Sequence, residues 1–173
     1  MAIAGGVREA SMAALFDAAH GVAAALIARR QTLAVSESST GGLISAALLA
    51  VPGASAFYLG GGIVYTPRAR HRLLGLGRED VHGIKSASEP YAALAARTVR
   101  ARFEVTWGLA ESGASGPNGN PYGDAAGHCC LGLDGPRNAV QTLETGHGDR
   151  LVNMIAFAQA ALALLRAGIE AAD

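Results

Sequence analysis

The sequence predicts an α/β fold, a three-layer α/β/α sandwich around a mixed, mainly parallel sheet. Two observations carry this. Short apolar runs alternate with segments of helical period along the first part of the chain, and such crossovers join parallel strands. Later, two apolar runs flank Asp134-Gly135-Pro136, the pattern of an antiparallel hairpin, which makes the sheet mixed.

The elements follow in order. From Arg8 to Arg30, apolar residues including Met12, Leu15, Phe16, Val22 and Leu26 recur at helical spacing. Gln31 to Glu37 reads as a short buried strand, and Gly41 to Ala50 as a helix with Ser38, Ser39 and Thr40 as candidate caps. Phe57 to Tyr65 is a second strand, and Pro67 to Gly77 is helical in part. Ser88, followed by Glu89 and Pro90, caps a helix reaching about Arg102. Val105 to Glu111 is a third strand. Turn formers then fill Gly113 to Gly123. Gly127 to Leu133 and Ala139 to Thr145 form the hairpin, and Asp149 opens a helix through Leu165. That helix has little polar surface apart from Asn153 and Gln159, which fits either core packing or contact with another subunit.

The 173 residues suit one domain spanning 1–173. Half are hydrophobic and 16% charged, which excludes a disordered chain. Lys plus Arg is 14 and Asp plus Glu is 14, and a net charge of zero argues against a nucleic-acid partner. The adjacent Cys129 and Cys130 form no disulfide framework and face opposite ways in a strand, as small core residues of a reducing compartment do. Met1 to Arg8 lacks the pattern of a signal peptide. Ser38 to Pro67 is long and free of charge, yet Pro52-Gly53 and Gly60-Gly61-Gly62 break it, so no membrane span is expected. The expectation is a cytoplasmic protein that forms a homodimer or higher homo-oligomer.

Two segments could carry chemistry. Ser36-Glu37-Ser38-Ser39-Thr40-Gly41-Gly42 lies at a strand-to-helix junction, where free N–H groups can seat a phosphate or oxyanion and hydroxyls can act as nucleophiles. A helix cap with packing glycines explains the same residues. Gly113-Ala114-Ser115-Gly116-Pro117-Asn118-Gly119 follows another strand, and two such loops converge on one crevice in open α/β sheets. The histidines are dispersed without zinc-binding spacing, so neither a metal nor a cofactor is expected.

These blocks resemble the CinA C-terminal-domain family, which includes nicotinamide-nucleotide amidohydrolases. The resemblance also rests on Val51-Pro52-Gly53-Ala54-Ser55 and Gly60-Gly61-Gly62-Ile63-Val64-Tyr65, and it covers about Leu33 to Asp149. It implies a five-stranded sheet and metal-free hydrolysis of the carboxamide of nicotinamide mononucleotide, giving nicotinate mononucleotide and ammonia. Ser38 would be the nucleophile and Tyr65 would position substrate or relay a proton. Glu37, Ser39, Thr40, Gly41, Gly42, Gly61, Arg70, Gly113, Ser115, Gly116, Asn118 and Gly119 would surround this phosphorylated small-molecule substrate. One departure bears on the chemistry. The family's proposed activating lysine lies five residues after the tyrosine, where this chain has Arg70, and a guanidinium cannot accept a proton near neutral pH. The one lysine is Lys85. An impaired amidohydrolase is therefore expected, with a non-catalytic ligand-binding or assembly domain as the alternative.

Overall fold

Residues 11–172 are described by the structure, a computed structural model. The segment before Ser11, including the expected helix start at Arg8, lies outside them. Helix α1 spans Met12–Arg29 and is capped by Ser11, whose hydroxyl accepts the Ala14 N–H at 3.1 Å. Strand β1 is Leu33–Glu37, α2 is Leu43–Leu49 and β2 is Tyr58–Ile63. A short helix α3, Pro67–Ala69, runs into one π turn over Arg70–Leu74. Helix α4, Glu89–Phe103, has Ser88 as its cap and Pro90 in its first turn. Strands β3 (Trp107–Ala114), β4 (His128–Asp134) and β5 (Ala139–Glu144) follow, and α5 (Arg150–Glu170) closes the fold with Asp149 as its cap.

The five strands lie in the order β2-β1-β3-β4-β5. β1 pairs in parallel with β2 and β3, while β3–β4 and β4–β5 are antiparallel. Every strand but β4 therefore points the same way, although the pairings divide evenly between the two kinds. The sheet is five-stranded and mixed, as expected, between two helical layers.

Period-two alternation decides what each strand gives to each layer. Leu33 and Val35 of β1 and Trp107 and Leu109 of β3 join the larger core beneath α1, α2 and α5. Ala34 and Ala110, one residue out of phase, join a smaller core under α4 and the π turn. Cys129 is buried in the larger core, while Cys130 turns the other way, toward Thr142 and the Ala87 carbonyl.

Several boundaries differ from expectation by a residue or more, and three of them have a visible cause or consequence. β3 runs on to Ala114 because Ser112, Gly113 and Ala114 pair with Cys130, Cys129 and His128, a long-range partner that local turn signals do not announce. α2 starts only at Leu43, since Gly41 and Gly42 hold φ of +64° and +101°. α5 continues past Leu165 to Glu170, with Ile169 fully buried.

The apolar face of α5, including Phe157, Ala161 and Leu165, is covered within the chain by α1 and the sheet. Core packing thus accounts for the composition that suggested a subunit contact on this helix. By length and composition alone α1 and α5 could each cross a membrane, yet they pack against one another beside the sheet. The uncharged run between Ser38 and Pro67 is divided into α2, a short turn and β2.

Candidate functional site

The C-terminal ends of β1, β2 and β3 meet at one edge of the sheet, where open α/β sheets bind ligands. A cleft of about 280 Å³ opens there, lined by Ser38, Tyr65, Arg70, Tyr91, Ser112 and Gly113 among others. A second recess of about 200 Å³ adjoins it, lined by Ser39, Gly113, Ser115, Gly116, Asn118, Gly119 and Arg150. Tyr65, Gly113, Asn120 and Pro121 border both. The two glycine-bearing loops thus converge.

The floor of the site is built from two buried carboxylates. Glu37 is in phase with Leu33 and Val35, so its side chain points beneath α2 and not into the cleft. Its Oε2 accepts the N–H groups of Gly42 and Ile44 at 3.0 and 3.1 Å, and Oε1 accepts the N–H of Ser45 at 2.8 Å. Glu111, in phase with Trp107 and Leu109 on β3, holds the preceding loop. Its Oε2 accepts the N–H groups of Ser38 and Thr40 at 2.9 and 3.0 Å, and Oε1 accepts the Ser39 hydroxyl. The Thr40 hydroxyl sits between the two, 2.8 Å from Glu37 and 2.9 Å from Glu111.

These contacts correct one expectation. The N–H groups at the start of α2 that would seat a phosphate are occupied by the protein's own carboxylates. Glu37, Thr40, Gly41 and Gly42 serve as scaffold below the cleft. Gly61 also stands outside it, facing Val35 across the β1–β2 pair, where a Cβ would lie 2.2 Å from the Val35 carbonyl oxygen.

Ser38 remains at the surface of this scaffold, half-buried, with its backbone fixed by Glu111. Among the described residues its hydroxyl makes no hydrogen bond to a histidine, lysine or carboxylate. Lys85 cannot serve it in this arrangement, because its ammonium is 2.6 Å from Asp124. Burial by itself would raise Asp124, but Lys85, the Asn120 amide and His128 together hold its carboxyl below the usual range. Arg70 lies in the cleft wall, its Nε donating to the Leu76 carbonyl at 3.4 Å beside the Tyr91 hydroxyl.

The opposite wall is set by Ala87. Its φ of +53° is a left-handed backbone that costs a residue with a Cβ about 1 kcal/mol. The conformation is held from both sides: Ala87 N–H donates to Ser112 Oγ at 3.2 Å, and the Ala87 carbonyl accepts from His128 Nε2 at 2.8 Å. His128 Nδ1 lies 2.5 Å from Glu144, so both ring nitrogens face oxygen acceptors, an arrangement that favours the doubly protonated ring. Burial disfavours that charge, but Glu144 and the Ala87 carbonyl outweigh it and raise the imidazole above its ordinary value.

In the second recess, Arg150 donates to the Gly116 carbonyl at 2.6 Å and to the Tyr65 hydroxyl at 3.4 Å. Gly116 holds φ of +104°, open to glycine and strained for other residues, with the Gly148 carbonyl against its α-carbon face. Asn153 on α5, fully buried, donates to the carbonyls of Ser115 and His147 at 2.9 and 2.8 Å and so fastens the loop from below. Ser115 Oγ is buried without a hydrogen-bond partner. Among the described residues, no three His, Cys, Asp or Glu side chains are grouped to hold a metal ion.

The model of the CinA C-terminal domain matches residues 16–169. The chain belongs to the CinA C-terminal domain family. A CinA-like protein of Synechococcus sp. (strain CC9902) is 46% identical over 107 residues, covering 61% of this chain and 25% of that protein. One from Desulforapulum autotrophicum is 34% identical over 143 residues, 82% of this chain and 34% of that protein. The chain spans about a third or less of the length of these relatives. Among solved structures, a competence-damaged protein (CinA) superfamily protein from Enterobacter cloacae matches with TM-score 0.82 and 28% identity, over 90% of this chain and 92% of that one. A CinA superfamily protein from Klebsiella pneumoniae gives 0.83 and 27%, over 91% and 98%.

Within this family domain, several residues at the site were not singled out from sequence. Glu111 carries a readable signal, a charged residue in phase with buried Trp107 and Leu109. Arg150 carries none, because only the fold brings the start of α5 to the strand ends, and Asn153 stood out only as a polar exception in an apolar helix.

Proposed function

We propose that this domain binds a phosphorylated, pyridine-nucleotide-like ligand across the two recesses and hydrolyses its carboxamide slowly or not at all. The carrying observation is that, among the described residues, Ser38 has no proton acceptor: the one charged side chain of those lining its cleft is Arg70, and Lys85 is held by Asp124. A serine hydroxyl needs a partner to take its proton, and a positioned general base contributes roughly 10²–10⁴-fold to rate. Arg70 supplies charge without basicity. Binding is independent of that base. The second recess offers the Arg150 guanidinium, which suits a phosphate group, and Ser115 in its wall holds a buried hydroxyl without a partner. Tyr65 borders both recesses and positions the ligand between them.

Ammonia release from nicotinamide mononucleotide tests the reading. The wild type should be weak or inactive, Ser38→Ala inactive, and Arg70→Lys faster than the wild type, approaching about 10² if the new amine is desolvated beside Ser38. Efficient wild-type turnover that survives Ser38→Ala would refute it.

A further inference from the structure

Each recess contains one charged side chain, and both are cations. Arg70 is alone in the Ser38 cleft and Arg150 is alone in the adjoining one. Neither faces a carboxylate among the described residues. Arg70 is fixed by the Leu76 carbonyl, and Arg150 by the Gly116 carbonyl and the Tyr65 hydroxyl. A neutral acceptor orients a guanidinium and leaves its charge uncompensated. The carboxylates about the site are otherwise engaged: Glu37 and Glu111 are turned beneath the floor and occupied by N–H and hydroxyl donors, Asp124 is paired with Lys85, and Asp149 caps α5 by accepting the Val152 N–H. The chain as a whole has a net charge of zero, so two unpaired cations converging on one concavity reflect local placement and not a general excess. Ser115, which lines the Arg150 recess, has its Oγ buried without a partner, a hydrogen-bonding group left unsatisfied in that wall.

We propose that the cleft takes a ligand with an anion at each end, a phosphate against Arg150 and Ser115 and a carboxylate against Arg70. The acid form of a pyridine mononucleotide is then preferred to its carboxamide. This rests on the nucleotide reading above and adds a polarity to it. A carboxamide offers Arg70 one carbonyl oxygen, and its NH₂ group meets a side chain that has donors only. A carboxylate offers two oxygens to the planar fork and a full opposite charge. The pyridinium ring, which carries a fixed positive charge in both forms, lies between the two anionic ends, beside Tyr65.

Calorimetric titration with nicotinate mononucleotide and nicotinamide mononucleotide reads this directly. The wild type should bind the acid about tenfold more tightly than the amide. Arg70→Gln should bring the ratio close to one by weakening the acid, while Arg150→Gln should weaken both ligands alike and preserve the ratio. A folding defect depresses both affinities and leaves their ratio unchanged, so the ratio is the deciding quantity. Equal or tighter binding of the amide by the wild type, or an unchanged ratio in Arg70→Gln, overturns the two-anion assignment and leaves the nucleotide reading standing. Failure of both ligands to bind overturns the two together.

Discussion

Replacing Glu111 separates two roles that its oxygens play. Oε2 accepts the N–H groups of Ser38 and Thr40, which cannot turn around to find another partner. Oε1 faces the Ser39 hydroxyl and, at 3.8 Å, the Cys129 thiol. A hydroxyl can accept as readily as it donates. Glu111→Gln should therefore place its carbonyl at the Oε2 position and its NH₂ toward Ser39, keeping both backbone bonds. It also removes one of two carboxylates that crowd the Thr40 hydroxyl, which has a single hydrogen to give. We expect a cost of about 1 kcal/mol or less, in the range of one neutral hydrogen bond. Glu111→Leu has similar bulk but leaves two buried N–H groups without acceptors. At about 1.5 kcal/mol for each such donor, the loss is about 3 kcal/mol, a large part of a typical domain's ~5–15 kcal/mol. Urea denaturation, compared by midpoint at constant slope, measures both. Equal losses in the two variants, or a Leu variant within about 0.5 kcal/mol of wild type, would refute the assignment of Glu111 as the loop's anchor.

Other outcomes follow from the same contacts. Because the folded His128 is raised above its ordinary value of about 6.5, its stabilisation is full below that pH and is lost as pH rises through the folded value; urea midpoints should fall over that window and stay flat in His128→Gln. Asp124 is displaced the other way, so its contribution is present above about pH 4 and disappears as pH drops through its folded value, a loss that Asp124→Asn should abolish in the same titration. Asn153→Ala strips the amide donors from the Ser115 and His147 carbonyls and should cost about 2–3 kcal/mol in urea denaturation, with weaker nucleotide binding in calorimetry because the Ser115–Gly119 loop loses its support.

Local chemistry made the capped helices readable. Ser88 with Pro90, and Asp149, mark helix starts that lie within a residue of their observed positions. The strands were readable by their apolar runs, and the hairpin by its turn residues. Long-range pairing was less visible. Gly113 looks like loop and is strand, because its neighbour Cys129 lies 16 residues on, in the adjacent strand β4. At the site, the convergence of Ser38, Tyr65 and Gly113–Gly119 was legible from glycines at strand ends. The inward turn of Glu37 was legible too, had its phase with Leu33 and Val35 been weighed against its place in a motif. The anchoring of the loop before α2 depends on Glu111, 71 residues beyond Thr40, and on the parallel pairing that puts β3 beside β1.

The bonds from Glu111 to the Ser38 and Thr40 amides also bear on how this region moves. Amides in a connection between a strand and a helix ordinarily exchange with deuterium early, through small openings that leave the rest of the protein intact. Here their acceptor belongs to the middle strand of the sheet, packed on both faces, and cannot be withdrawn without disturbing that strand. Those two amides should keep their protons as long as the slowest residues of β3. Ligands entering the cleft would then meet a Ser38 loop already in place.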